Sequence, residues 1–215
     1  MMNKAIKVIL VDDHAVVRAG FRMLLAASDG IEVVAEAERG EAVCQLYQQW
    51  QPDVVVMDLS MPGIGGLETI RRVISRHQDA KVLVFSVHDE QVYVHHAMSA
   101  GAQGYITKNS APAILVDAIH ALAADGTYIE QGLLKSLPQH DQQIDYQTII
   151  ATLSPREFDV LRLLAKGLTV QKIAEELCLG QKTVANYGTQ IKSKLQVSNL
   201  AELAHMAVLA GVVKS

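Results

Sequence analysis

Cysteine is scarce in this 215-residue chain, which holds only Cys44 and Cys178. The two lie far apart, without Cys-x-x-Cys or Cys/His spacing, so the pattern excludes a zinc site and a disulfide framework and leaves both as packing residues. No stretch approaches the roughly 18 to 20 apolar residues that span a bilayer, and the N-terminus lacks an apolar run followed by a small-residue cleavage site. The expectation is a cytoplasmic protein with no membrane partner. Charge of one sign is also lacking overall, the formal net charge being −4. Spread evenly, that value would argue against nucleic acid.

It is not spread evenly. Residues 1 to 128 carry 10 Lys and Arg against 15 Asp and Glu, residues 129 to 152 carry 1 against 3, and residues 153 to 215 carry 8 against 5. An acidic part followed by a basic part suits a sensing module joined to one that meets phosphates. Half of the residues are hydrophobic, enough to close ordinary cores, and the length allows one large domain or two smaller ones.

From Ile6 to Asp125 short β-branched runs alternate with helical patterns. The runs Ile6 to Val11, Ile31 to Ala37, Asp53 to Asp58, Lys81 to Ser86 and Gly104 to Thr107 read as strands; the first, third and fourth are nearly continuous apolar, as in strands buried on both faces. Between them, Val17, Phe21, Leu24 and Leu25, and later Leu115, Ala118, Ile119 and Leu122, repeat at helical spacing. Five strands alternating with five helices predict an α/β doubly wound parallel sheet, whose ligand site lies beyond the carboxyl ends of the strands.

Periodicity lapses near Gln131 to Thr152, where Gln, His, Asp and Pro138 gather, and this predicts a linker over 129–150 with a short helix near Tyr146 to Ile150. Ser154-Pro155-Arg156-Glu157 combines an N-cap, a Pro at the first helical position and a capping-box Glu. The helix it starts ends at Gly167. Further helices are expected over Thr169 to Leu177, Gln181 to Leu195 and Ser198 to Ala210, with a Cys-Leu-Gly turn at 178 to 180. This predicts a four-helix, all-α helix-turn-helix domain over 151–215.

The chemistry concentrates at the strand ends of residues 1–128. Asp12 and Asp13 end the first strand and Asp58 the third, bringing three carboxylates to one edge. Their repulsion is relieved by a hard cation such as Mg²⁺, which takes oxygen ligands and shares its site with a phosphoryl group. Asp58 is then an acyl-phosphate nucleophile, Lys108 at the end of the fifth strand supplies a neutralising cation, and Ser86 at the end of the fourth offers a hydroxyl. Taken singly, an Asp at a strand end is as readily a turn or capping residue. Gly63-Ile64-Gly65-Gly66 lacks the spacing of a dinucleotide loop and reads as a loop bordering the site. His14, His88, His95 and His96 read as structural or solvated rather than as ligands.

The stretches Leu10-Val-Asp-Asp-His14, Met57-Asp-Leu-Ser-Met-Pro62, the Ser86 strand end and Gly104-Tyr-Ile-Thr-Lys108 resemble the receiver domain of two-component response regulators. The resemblance implies strand order 2-1-3-4-5 and a phosphoryl group accepted on Asp58 from a sensor histidine kinase. It also implies Mg²⁺ held by Asp12, Asp13, Asp58 and the backbone carbonyl of Ser60, and a switch pair, Ser86 and Tyr105, whose ring turns inward on phosphorylation. Transfer and hydrolysis would be self-catalysed, without further enzyme activity. Ser60 and His88 would bear on how fast water reaches the phosphate.

Leu153-Ser-Pro-Arg-Glu157, Gly167, Ile173-Ala174, Lys182-Thr-Val184 and Lys194-Leu195 resemble the output domain of NarL/FixJ/LuxR-type regulators. The run 60 to 68, with Asn186 and Tyr187, is similar to the GacA/UvrY subgroup. The implied partners are double-stranded DNA and a second copy of the chain on activation, with RNA polymerase a candidate contact. Val184, Tyr187, Ile191 and Leu195 share an apolar face, which leaves Lys182, Ala185, Asn186, Thr189 and Lys192 facing outward toward DNA. The sequence departs from the family where Ala185 and Thr189 replace basic residues and Tyr187 replaces His. The sparse cations imply a shallow salt dependence and a reliance on dimerisation. Leu200, Leu203, Ala204 and Ala207 are either core or dimer seam. Two readings compete with a phosphorylation-switched DNA binder: a receiver acting through protein contacts, and an aspartate-nucleophile phosphatase. The phosphatase would want its nucleophile in an Asp-x-Asp pair after the first strand.

Overall fold

The computed structural model describes residues 5–133 and 146–213. The chain divides into two compact units, Met1–Asp89 with Ala97–Gly132, and Glu90–His96 with Leu133–Ser215. Most of the expected linker, residues 134–145, lies outside the described residues.

The first unit alternates strand and helix: β1 (Ile6–Val11), α1 (Ala15–Ala26), β2 (Ile31–Ala37), a 3₁₀ turn (Gly40–Ala42), α2 (Val43–Trp50), β3 (Val54–Met57), α3 (Gly65–Arg76), β4 (Val82–Ser86), the end of α4 (Gln91–Ser99), β5 (Gly104–Thr107), α5 (Pro112–Ala123) and β6 (Tyr128–Ile129). All strand pairs are parallel, in the order β2-β1-β3-β4-β5-β6. One face of the sheet builds a core from Val8, Leu10, Val54, Val56, Leu83, Phe85 and Ile106 against Leu25, Leu115, Ala118, Ile119 and Leu122. The residues between them in the strands, Ile9, Val55, Met57, Val84 and Tyr105, are fully buried and by alternation point to the opposite face. This double burial is why the runs read as continuous apolar.

The sheet has six strands where five were expected. Tyr128–Ile129 is too short to show a period-2 pattern; it forms because β5 presents an edge, and Gly104 and Tyr105 pair with Tyr128 and Ile129. Asp53 and Asp58 flank β3 instead of lying within it. Asp58 therefore opens the loop beyond the strand's carboxyl end, the place where this topology binds ligands.

The second unit holds α6 (Tyr146–Ala151), α7 (Pro155–Ala165), α8 (Val170–Glu176), α9 (Gln181–Leu195) and α10 (Leu200–Leu209). The capping box forms as expected: Ser154 Oγ accepts from the Glu157 N–H while the Glu157 carboxylate accepts from the Ser154 N–H. Phe158, Leu161, Ile173, Leu177, Val184, Ile191, Leu195, Leu203 and Ala207 make the buried interior. In the α8–α9 turn the left-handed residue is Cys178 (φ 52°), whereas Gly180 is extended and caps α9. Residues Glu90–His96 fold with this unit. The Tyr93 ring meets Phe158 edge-on at 5.2 Å, its hydroxyl donates to the Val212 carbonyl at 2.8 Å, and the His96 ring lies 4.1 Å from Phe158.

Candidate functional site

At the carboxyl edge of the first unit, Asp12 and Asp58 are buried and Asp13 is half-buried. Asp58 is only 3 % exposed. Its backbone N–H donates to the Val11 carbonyl, so β1 and β3 hold the two acidic ends side by side. The Lys108 ammonium donates to Asp58 Oδ2 at 2.8 Å and to Asp12 Oδ2 at 2.6 Å, and the Ser60 N–H approaches Asp58 Oδ1 at 3.3 Å. Burial pushes the Asp58 carboxyl above its ordinary range; Lys108 opposes this and Asp12 adds to it. Burial alone would lower the Lys108 ammonium, and the two carboxylates outweigh it and raise it. The lysine is thus held protonated.

Asp12, Asp13, Asp58 and His14 each offer a ligand atom within 4.8 Å of the others. Asp13 Oδ1 is screened from water and accepts no hydrogen bond; His14 Nδ1 lies 2.9 Å from it without hydrogen-bond alignment. A hard oxygen-rich set with an orphaned carboxylate oxygen fits a divalent cation of the Mg²⁺ type.

Around this pocket the loops are tied down. Arg18 spans the end of β1, donating to the Asp12 carbonyl at 2.6 Å and to Glu36 and Glu38 at 3.0 Å each. Glu41 accepts from the Ile64 N–H at 2.9 Å and so holds the loop after β3. Gly66 lies against the Asp58 and Leu59 backbone, where a Cβ would come within 2.6 Å of Leu59 Cα.

Ser86 is fully buried and its Oγ faces the His88 N–H at 3.3 Å. Tyr105 is also fully buried, its ring inside the unit and its hydroxyl donating to the His88 carbonyl at 2.9 Å. Ser60 Oγ and His88 Nε2 are 3.0 Å apart. Ser60, Ser86 and Tyr105 thus converge on the short segment at His88.

On α9, Lys182, Ala185, Asn186 and Thr189 are exposed and Lys192 is half-buried. Val184, Ile191 and Leu195 are buried and Tyr187 half-buried, as the apolar face implied. The Thr189 hydroxyl donates to the Ala185 carbonyl, leaving its methyl free to meet an apolar group. On α10, Leu203 and Ala207 are core while Leu200 is half exposed.

Residues 8–120 match the response regulator receiver domain, and residues 151–207 match the luxR family of bacterial regulatory proteins. The chain is a LuxR-type response regulator. Along its length the regulator is 42% identical over 209 residues to the transcriptional activator protein ExaE of Pseudomonas putida, covering 96% of this chain and 98% of that one. It is 40% identical over 215 residues to the response regulator GacA of Pseudomonas aeruginosa, covering 97% and 98%. Among solved structures it resembles RcsB from Salmonella enterica serovar Typhimurium, bound to the promoter P1flhDC in the presence of phosphomimetic BeF3-. That likeness has a TM-score of 0.66 at 25% identity, covering 94% of this chain and 98% of that one.

Asp12, Asp13, Asp58, Ser60, Ser86 and Lys108 come to one edge of the regulator's sheet, and Tyr105 lies within β5 with its hydroxyl reaching the His88 carbonyl. Four residues were given no such role in the sequence. His14 was set aside as a ligand although its ring reaches Asp12 and Asp13. Arg18 and Glu41 are exposed-face residues by pattern, and only the folded chain brings them to the pocket loops. Lys194 was read as family motif alone, yet its ammonium lies 2.7 Å from Glu157 Oε2.

Proposed function

We propose that the regulator accepts a phosphoryl group on Asp58 from the phosphohistidine of a sensor kinase and then binds double-stranded DNA as a dimer to regulate transcription. The observation that carries this reading is the Asp58 carboxylate, buried within reach of the Lys108 ammonium and of two further carboxylates. A Mg²⁺ ion held by Asp12, Asp13, Asp58 and the Ser60 carbonyl would neutralise phosphoryl oxygens during transfer. An Asp58 oxygen attacks phosphorus as the bond to the donor nitrogen breaks, and Lys108 exchanges a carboxylate partner for a phosphoryl oxygen. The Ser86 hydroxyl donates to a second phosphoryl oxygen; the Tyr105 ring, expected to turn inward on phosphorylation, is already buried and stays so. Ser60 and His88 limit the approach of water. Transfer is self-catalysed by these groups, with no separate enzyme activity.

In this reading residues 1–128 receive the signal, 129–150 link, and 151–215 read DNA, with RNA polymerase a candidate partner and the cytoplasm the place of action. Among the described residues no helix is long and apolar enough to cross a membrane. On α9, Asn186 is the residue suited to a bidentate pair with adenine, Lys182 and Lys192 suit phosphates, and Ala185 and Thr189 suit a thymine methyl. RcsB bound to a promoter beside a phosphomimetic supports both halves of the reading.

The test is a gel shift with sequences selected from a random pool, comparing wild type treated with acetyl phosphate and Mg²⁺ with Asp58→Asn treated alike. An enriched site bound as a dimer by the treated wild type, and many-fold more weakly by Asp58→Asn, is expected. Equal binding by the two overturns the switch. The sparse charge on α9 favours a second reading, action through protein contacts, and an absence of any enriched site would establish it.

A further inference from the structure

Lys108 follows β5, whose outer neighbour β6 ends at Ile129 while β5 runs on to Thr107. The ladder between them closes with the Glu130 N–H donating to the Tyr105 carbonyl at 3.0 Å. Beyond that point the Thr107 N–H would be left without a backbone acceptor on this side, and it is the peptide immediately before Lys108. The Glu130 side chain fills the gap. Its Oε2 accepts from the Thr107 N–H at 2.9 Å and from the Ser110 hydroxyl at 2.6 Å. Since Ser110 gives its proton to the carboxylate, the 2.9 Å contact between Thr107 Oγ1 and Ser110 Oγ has Thr107 as donor. One carboxylate oxygen therefore locks both ends of the 107–110 loop. From the opposite side, the Lys108 N–H donates to the Ser86 carbonyl at 2.7 Å.

We propose that Glu130 is a positioning residue for Lys108: its carboxylate substitutes for the missing rung of β6 and fixes the loop that aims the lysine ammonium at Asp58. The proposal rests on the reading of Asp58 as phospho-acceptor and adds a determinant from the segment that follows α5. Because charge-assisted hydrogen bonds to a carboxylate are stronger than neutral ones, a single acidic side chain suffices to hold the loop. A lysine on four rotatable methylenes loses aim readily when its backbone moves. Asp12 and Asp13 follow β1 and Asp58 follows β3, so their backbone is held apart from this loop, and loss of lysine aim should not weaken cation binding.

The experiment uses the full chain and measures phosphoryl uptake at saturating acetyl phosphate, with Mg²⁺ affinity determined separately by calorimetry. Wild type, Glu130→Ala, Glu130→Gln, Lys108→Ala and the Lys108→Ala/Glu130→Ala double variant are compared. The expected result is that Glu130→Ala slows uptake by about tenfold or more while Mg²⁺ affinity is not weakened. Glu130→Gln, which keeps an acceptor oxygen, restores most of the rate. In the Lys108→Ala background, Glu130→Ala has little further effect, because the lysine it acts through is gone. Unchanged uptake in Glu130→Ala, equal loss of uptake and Mg²⁺ affinity, or full additivity in the double variant each overturns the proposal while leaving Asp58 as acceptor. Absence of uptake in wild type instead removes the Asp58 reading, and this proposal with it.

Discussion

Lys194, in the last turn of α9, gives its ammonium to Glu157, the same carboxylate that completes the capping box at the start of α7. Burial would raise the Glu157 carboxyl, but Lys194 and the Ser154 donors outweigh it and hold it below its ordinary value. One of the few cations on α9, the helix proposed to face DNA, is thereby committed to the fold.

Replacing Lys194 with Gln should therefore lower stability, by about 1 kcal/mol given the lysine's partial exposure. It should leave the salt dependence of DNA binding nearly unaltered. Lys182→Ala should do the reverse, reducing the slope of log K against log salt by about 1 per bound protomer. Chemical denaturation paired with salt titrations checks both. Equal slope changes would show Lys194 on phosphate.

A pH dependence follows from His96, which is 3 % exposed. Burial, with His95 adding and a bond to the Ile150 carbonyl opposing, lowers its pKa to about 4. The folded state favours the neutral ring, so its contribution is present above the ordinary histidine range and is lost as pH falls toward about 4. The loss is on the order of 3 kcal/mol for the second unit. Denaturation curves from pH 7 to 4 should show it, and His96→Leu should flatten it. A pH-independent midpoint in wild type would contradict the burial.

At Asp58 the sign is opposite. Burial raises its pKa, so ionisation costs stability as pH rises through the raised value. Without a divalent cation at neutral pH, Asp58→Asn should melt a few degrees above wild type. Millimolar Mg²⁺ should raise the melting temperature of wild type and scarcely that of the variant. Equal Mg²⁺ responses would place the cation elsewhere.

Two glycines should behave in opposite ways. Gly188 lies within α9, and a Cβ there meets only Leu164 Cδ1 at 3.8 Å, an ordinary contact. Gly188→Ala should stabilise by about 1 kcal/mol. Gly66→Ala should cost at least about 2 kcal/mol and Mg²⁺ affinity with it, because the methyl meets the Asp58 and Leu59 backbone. Thermal melts of the two variants check both signs.

The receiver pocket was legible in the sequence because a parallel sheet delivers its strand ends to one edge, so Asp12, Asp58, Ser86 and Lys108 could be placed on that edge from their strand-end positions, with strand order taken from the family resemblance. The capping box at Ser154 was legible because its signal is local. β6 was not, since two residues carry no periodicity and its partner is β5's edge. Nor were Arg18, Glu41 and Glu130, whose roles depend on long side chains crossing between loops. The Cys-Leu-Gly turn was legible as a turn, but not that Cys178 would take its left-handed position. The fold of Glu90–His96 with the second unit was equally hidden, because its evidence is Tyr93 and Phe158 meeting from distant parts of the chain.

The central claim concerns Asp58, and intact-mass spectrometry of the regulator after acetyl phosphate and Mg²⁺ tests it most directly. Wild type should gain the mass of one phosphoryl group, lost again on treatment with hydroxylamine, while Asp58→Asn gains none. A gain of equal size in Asp58→Asn, or none in wild type, would contradict the account.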